Sequence, residues 1–420
     1  MAEFRNEKEW MPAEERERHL IERLRSLCQY AYEKAPAMRK KFDDAGVTPS
    51  QIQSLNDLVR IPITRRDELI KLQRENPPFG GFLTVPPEGL KRIYVHPGPQ
   101  YETLADSDIE HATNAIRKLG LVKGDIAINA LSYHLVPAGL LLDDILTQMG
   151  VTVVPAGIGN RDLQVQIMHD LKVTTFIGFP LFLMQIIKRA EEQGYDFRRD
   201  FALSKALALG KSSVRKSLEE DYQLQTREVY GYLPVGVPAA ECEQKSGMHI
   251  EEDFIVEIVD PATGKQLGPG EIGELVVTTV FNEIMPRIRS GSGDLGYYTD
   301  EPCPCGRTSN RLVEIVGRVG EAAKVRGMFI SPPEVADVVS RIPVITRFQL
   351  QITHADLRDI VTARFELANE TVDKEKVVGL FQDDFQSRCR LKADKVEFVP
   401  KGTIPDDAKS IEDLRKEIVL

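Results

Sequence analysis

The sequence predicts an α/β protein: a large N-terminal parallel-sheet domain with an antiparallel β subdomain, followed by a small mobile α+β C-terminal domain. Three observations lead there. Short apolar runs alternate with helical stretches from about 110 to 230, turn-rich hairpin signals follow, and a new strand and helix order begins after Gly317-Arg318. A chain of 420 residues with 42% hydrophobic content is long enough for two or more cores.

Element by element, the first signal is an amphipathic helix over 13–43, with Leu20, Ile21, Leu24, Leu27, Cys28 and Ala31 on one face and Glu and Arg on the other. Pro-rich connections follow at 61–64 and 76–81. Helices near 107–119, 137–149, 162–171 and 180–193 then separate the runs 126–128, 151–154, 173–179 and 203–209. Such spacing implies right-handed βαβ units and a parallel sheet. Phe254–Val259 and Glu274–Thr279 read as antiparallel strands, because Asp260-Pro261-Ala262-Thr263-Gly264 and Gly268-Pro269-Gly270 are turn formers. Beyond the boundary placed near Arg318, a helix over 332–341, strands at 348–353 and 360–365, a helix over 372–390 and a strand at 396–399 make a unit of domain size. The expected domains are thus 1–318, with a zinc-pinned β subdomain at about 235–315, and 319–420.

Acidic and basic residues, 64 and 54 of them with a net charge of −10, are mixed along the chain, which speaks against a nucleic-acid partner. Met1 to Glu15 lacks the apolar core of a signal peptide and no stretch has the length of a membrane span, so a cytoplasmic protein without a membrane partner is expected. Five cysteines are an odd number and argue against a disulfide framework. Three of them, Cys242, Cys303 and Cys305, join His249 in a 3:1 set of thiolates and imidazole suited to tetrahedral structural zinc. Cys28 and Cys389 read as core residues.

Several segments together resemble the phenylacetate-CoA ligase family. They are Pro155-Ala156-Gly157-Ile158-Gly159-Asn160, Tyr230-Gly231, Glu241-Cys242 with Gly247 to Asp253, Gly273-Glu274-Leu275, Ile288-Arg289 through Gly293-Asp294, Pro302 to Thr308, and Gly317-Arg318 through Arg326-Gly327. The resemblance runs from about Leu24 to Arg415 in the expected order. It implies an enzyme that joins an aryl or other carboxylic acid to AMP with Mg-ATP and then, after rotation of the C-terminal domain, passes the acyl group to CoA. By the same resemblance Tyr230, Gly231, Asp294 and Arg318 bind nucleotide, Tyr133 and His134 line the acid pocket, and Lys324, Arg326 and Gly327 approach CoA. A homodimer is implied by analogy with the family.

Departures from the family pattern fall on the phosphates. In place of a Ser/Thr/Gly-rich run ending in Gly-Lys-Pro stands Val95-His96-Pro97-Gly98-Pro99-Gln100, with two prolines and no lysine. Where a magnesium-holding acid would follow Tyr230-Gly231, the chain has Tyr232-Leu233-Pro234, and Leu209-Gly210-Lys211-Ser212-Ser213 replaces Gly-Ala-Glu-Pro. The place of the adenylating lysine is taken by Asp407 in Asp406-Asp407-Ala408-Lys409, leaving Lys409 as the candidate catalytic cation. Two functions are therefore carried forward: an acid-CoA ligase, and an ATP-incompetent homologue that binds nucleotide, CoA or acyl-CoA or acts as a scaffold.

Overall fold

The computed structural model describes residues 6–96, 99–209, 214–232, 235–320, 322–326, 328–330, 332–355, 358–369, 371–389 and 391–415. The chain forms two compact units, one of residues 1–292 and 297–315, the other of 293–296 and 316–420.

At the start of the first unit the apolar stripe is carried by two helices rather than the single one expected. Ala13–Lys34 and Pro36–Asp44 are separated by Ala35, which is extended at φ −107° and ψ 108°. A residue before proline is pushed out of the helical region, while Pro36 at the first position of the second helix loses no intrahelical bond. The stripe survives the break: Leu20, Leu24, Leu27, Cys28 and Ala31 share one buried cluster with Met38 and Phe42.

One 11-stranded sheet carries both the parallel and the antiparallel strands, in the order Phe254–Val259, Gly273–Thr279, Ser290–Thr299, Arg311–Arg318, Met248–Ile250, Gly236–Glu241, Gln225–Tyr232, Lys205–Leu209, Thr175–Gly178, Ile126–Asn129, Thr152–Val154. From Gln225–Tyr232 to Thr152–Val154 neighbours are parallel, and at Gln225–Tyr232 the sheet turns antiparallel through the register Val229↔Ala240. The chain steps from Ile126–Asn129 outward to Thr152–Val154 and then back across to Thr175–Gly178. That reversal makes the carboxyl ends of Ile126–Asn129 and Thr175–Gly178 a topological switch point, the place where open α/β sheets bind ligands. Helices Asp106–Arg117 and Ala138–Gln148 pack into one core cluster with Ile177, Leu207 and Val229. Pro180–Glu192 packs into another around Ile128 and Phe176.

The second unit has a four-stranded sheet ordered Lys395–Phe398, Arg358–Leu367, Ile345–Ala355, Ile411–Asp413. Pro332–Ser340 and Lys374–Cys389 supply Val335, Val338, Phe381 and Phe385 to a core shared with Leu350, Ile352, Val361 and Phe365. Cys389 lies in this core and Cys28 in that of the first unit.

Candidate functional site

The four proposed metal ligands come together in the first unit. Cys242 follows the strand Gly236–Glu241, His249 sits in Met248–Ile250, and Cys303 and Cys305 lie on the loop between Ser290–Thr299 and Arg311–Arg318. Two glycines make this possible. Gly247 has φ +104°, and a Cβ there would lie 2.9 Å from the Leu312 carbonyl oxygen. Gly306 has φ +82° and closes the Cys303 turn by donating its N–H to the Cys303 carbonyl at 2.9 Å.

All four ligand atoms lie within 4.8 Å of one another. Cys242 Sγ is 3.8 Å from Cys303 Sγ, and Cys305 Sγ is 3.3 Å from His249 Nε2. Zinc–sulfur bonds of about 2.3 Å in a tetrahedron place sulfurs about 3.8 Å apart, so the donor set fits the ion. His249 Nδ1 is 3.3 Å from Ser309 Oγ, which orients the ring with Nε2 toward the sulfurs. Burial, with Lys118, Arg307 and Arg311 adding positive potential, pulls the imidazole down to about 3 and keeps it in the ligating neutral form. Burial also pushes the Cys242 thiol up to about 12, an opposition to ionisation that a bound dication offsets.

Beside the cluster lies a charged network that the sequence did not reveal. Lys118 Nζ, only 3% exposed, reaches both Glu251 carboxylate oxygens at 2.8 and 2.7 Å and Glu252 at 3.5 Å. Asp253 receives His19 at 2.6 Å, His111 at 2.9 Å and Lys8 at 3.2 Å, and the His111 ring stacks on Phe281 at 3.7 Å. Burial alone would raise the Asp253 carboxyl, but hydrogen bonds from His111 and His19 and the charge of Lys8 hold it well below the usual carboxylate range. A carboxylate depressed on folding stabilises above its unfolded pKa of about 4 and loses that contribution as pH falls further. Asp253→Asn is expected to cost about 3 kcal/mol at neutral pH and to flatten the loss of stability below pH ~4. Urea unfolding at pH 7 and across the acid range checks both.

Where a phosphate loop would stand by the resemblance, strands Tyr94–His96 and Gln100–Glu102 form a tight hairpin in the register Val95↔Tyr101. Pro97 and Gly98 fall outside the described residues. His96 Nε2 is 2.5 Å from Glu102 Oε2, and Glu102 is fully buried. Its Oε1 and the Nε of buried Arg287 have no hydrogen-bond partner among the described residues.

At this switch point Tyr133 lies just past the end of Ile126–Asn129, its hydroxyl accepting from Asn129 Nδ2 at 2.8 Å, and burial raises its pKa. His134 is exposed. Asn129 Nδ2 also holds the Gly139 carbonyl at 3.0 Å, and a Cβ on Gly139 would lie 2.5 Å from the Ser132 oxygen. The loop 155–160 is tied to the same strand by Gly157 N–H to the Asn129 carbonyl at 3.0 Å, and Gln164 Nε2 donates to the Gly157 and Gly159 carbonyls.

Tyr230 is buried in the core cluster of Ala239, Met248, Ile258, Leu275 and Leu312, so its ring is a packing element. Gly231 is exposed, and Tyr232 at the strand end donates its hydroxyl to the Gly291 carbonyl at 2.8 Å. In the second unit Arg318 Nε meets Asp294 Oδ1 at 2.9 Å, and Val319 N–H donates to the Gly293 carbonyl at 2.7 Å. Lys324 belongs to the strand Ala323–Val325. Arg326, at φ +50°, is fastened to Asp359 through its N–H at 3.1 Å and Nε at 3.0 Å, and to Asp394. Gly327, with Gly210 to Ser213 and Leu233-Pro234, lies outside the described residues. Lys409 is exposed on the loop before Ile411–Asp413.

No family model matches the chain. Among curated proteins, a phenylacetate-coenzyme A ligase of Thermus thermophilus is 31% identical over 382 residues, 87% of this chain and 84% of the relative. The phenylacetate-coenzyme A ligase of Escherichia coli is 30% identical over 372 residues, 84% of this chain and 82% of the relative. Among solved structures, an open conformation of 2-hydroxyisobutyryl-CoA ligase in complex with 2-HIB-AMP and CoA superposes with a TM-score of 0.85 at 26% identity, covering 97% of this chain and 93% of that one.

Proposed function

We propose that this chain, which belongs to the phenylacetate-coenzyme A ligase family, joins a carboxylic acid to coenzyme A through an acyl-adenylate. The observation that carries the reading is the likeness, over 97% of the chain and hence both units, to a ligase holding its acyl-AMP and CoA. Tyr133 and His134, at the topological switch of the sheet, would meet the acid. Tyr230 through its backbone, Gly231, Asp294 and Arg318 would hold AMP or ATP, Lys409 the α-phosphate, and Lys324, Arg326 and Gly327 the CoA. Arg326 does so only if it exchanges its present bonds to Asp359. Cys242, His249, Cys303 and Cys305 would hold structural zinc, pinning the loop 300–310 to the antiparallel strands. A homodimer and a cytoplasmic location belong to the same proposal, and no helix among the described residues is long and apolar enough to cross a membrane.

Magnesium does not fit in the same way. No carboxylate follows Tyr230-Gly231, and no step is assigned to that ion.

The closed hairpin, its buried Glu102 and the exposed Asp407 favour a second reading, in which the protein binds nucleotide, CoA or acyl-CoA without forming the adenylate. Pyrophosphate release with Mg-ATP, CoA and a panel of aryl and short-chain acids, beside calorimetric titration of each ligand, decides between them. Acid-dependent pyrophosphate release establishes the ligase, whereas CoA binding with no ATP binding sinks it. Under the ligase reading Gly139→Ala is expected to displace the Ser132-Tyr133 turn, because Cβ and a carbonyl oxygen cannot sit 2.5 Å apart. The result should be a KM for the acid raised about tenfold, with the KM for CoA unchanged.

A further inference from the structure

The N-terminal turn Glu7–Trp10 is far in sequence from every metal ligand, yet it is fastened to the segment that carries two of them. Thr308, three residues past Cys305, donates its N–H to the Glu9 carbonyl at 3.1 Å and its hydroxyl to the Met11 carbonyl at 2.5 Å. The Arg307 guanidinium pairs with the buried Glu9 carboxylate and lies 5.1 Å over the Trp10 ring. A Cβ on Gly306 would lie 3.5 Å from Trp10 Nε1, so the indole rests on the turn that closes Cys303 and Cys305. On the other side of the same turn, Asn6 donates to Glu252 at 3.2 Å, Lys8 meets Asp253 at 3.2 Å, and Glu9 is 3.9 Å from Lys118.

Arg307 is the link between the two. Its backbone N–H points at Cys305 Sγ, 3.4 Å away, while its side chain holds Glu9 and Trp10. Three thiolates, one neutral imidazole and a dication carry a net charge of −1, which attracts Arg307 and fixes the backbone from Cys303 to Thr308. The surface that Glu9, Trp10 and Met11 bind is built from that same backbone.

We infer that the turn Glu7–Trp10 is a built part of the metal centre, so that loading the Cys242, His249, Cys303 and Cys305 cluster with a thiophilic divalent cation and docking of the turn strengthen each other. This rests on the reading of the cluster as a metal site. Thermodynamic linkage makes the effect reciprocal: the factor by which the cation tightens the turn is the factor by which the turn tightens the cation.

Trp10 is the only tryptophan in the chain, so its emission reports the turn alone. The experiment uses the full chain, stripped with a chelator and titrated with zinc, reading Trp10 emission and its quenching by acrylamide. Zinc affinity is measured in parallel by competition with a chromophoric chelator, for the unaltered chain and for Glu9→Gln. Zinc removal is expected to expose Trp10 to quencher and zinc addition to reverse this, while Glu9→Gln weakens zinc about tenfold at unchanged 1:1 stoichiometry. Should one zinc bind with no change in Trp10 quenching and with equal affinity in Glu9→Gln, the linkage is overturned and the metal site stands. A chain that binds no zinc overturns both. The quenching series on the unaltered chain needs no variant and decides the point even if Glu9→Gln folds poorly.

Discussion

Cys303→Ser is expected to strip the metal from the first unit and to lower its stability by on the order of 4 kcal/mol, among the larger effects a single substitution produces. The size follows from what the cluster joins. Cys242 directly follows one sheet strand and His249 lies in its neighbour, whereas Cys303 and Cys305 sit on a loop whose other attachments include a few hydrogen bonds and the Arg307 contacts. Without the ion, two buried thiols 3.8 Å apart are left with weak sulfur hydrogen bonds, among them the one to Ser246 Oγ, 3.5 Å from Cys303. A serine at 303 supplies an oxygen too short and too weakly acidic to replace a thiolate. Zinc content and urea unfolding, measured together, test this, with Cys389→Ser in the second unit as the control that should keep its metal. Full zinc in Cys303→Ser, or a loss of stability not reproduced by chelating the unaltered chain, would count against a structural ion.

Most of the parallel half of the sheet was legible because its buried strands are short, mainly apolar runs set between helices: Thr175–Gly178 and Lys205–Leu209 fall inside runs read from sequence, and Ile126–Asn129 extends the run 126–128 by one residue. Their spatial order was not, since nothing local records that Thr152–Val154 lies at the edge. The break at Ala35-Pro36 had its signal in the proline, yet the apolar stripe crosses it unbroken, and periodicity reports the buried face, which both helices share. Among site residues, the cysteines were legible as a set because Cys-Pro-Cys with a 3:1 thiol to imidazole ratio suits a tetrahedral ion better than it suits apolar packing. Their surroundings were not. Lys118 meets Glu251 across 133 positions and Arg307 meets Glu9 across 298, distances over which only folding selects partners. The acidic run Glu251-Glu252-Asp253 was visible, but its pairing with Lys118, Lys8, His19 and His111 depends on the N-terminal turn and two helices converging. His96 and Glu102 are paired only by the hairpin register, which the two prolines around Gly98 did not advertise as a strand turn.

Asp407→Lys is expected to raise the adenylation half-reaction by about 100-fold or more, the scale on which a positioned charge acts on a developing phosphate anion, about 3 kcal/mol. The substitution should be silent for the fold. Its loop is anchored at both ends: Ile404, buried, gives its N–H to Glu366 at 2.7 Å and its carbonyl accepts from Arg347 at 2.8 Å, while the Ser410 carbonyl accepts from Leu350 N–H at 2.8 Å as Ile411 enters the sheet. Between these anchors Asp406 is paired with Arg347, and Asp407 and Lys409 are exposed. Reversing one exposed charge there should change stability by no more than about 0.5 kcal/mol. Any change in rate therefore reads electrostatics at the position that the resemblance assigns to the adenylating lysine. Lys409→Ala supplies the complement, and if Lys409 carries the present activity its loss should lower acid-dependent ATP–pyrophosphate exchange about 100-fold, with Asp407→Lys restoring it in the double variant. Exchange rates for the three variants at equal folded concentration settle the matter. A gain in Asp407→Lys without loss in Lys409→Ala would leave the site but remove Lys409 from it. No gain in Asp407→Lys, in a protein that binds ATP, would place the limitation in the other departures, the hairpin that carries His96 and Glu102 or the missing acids after Tyr230-Gly231 and at 209–213.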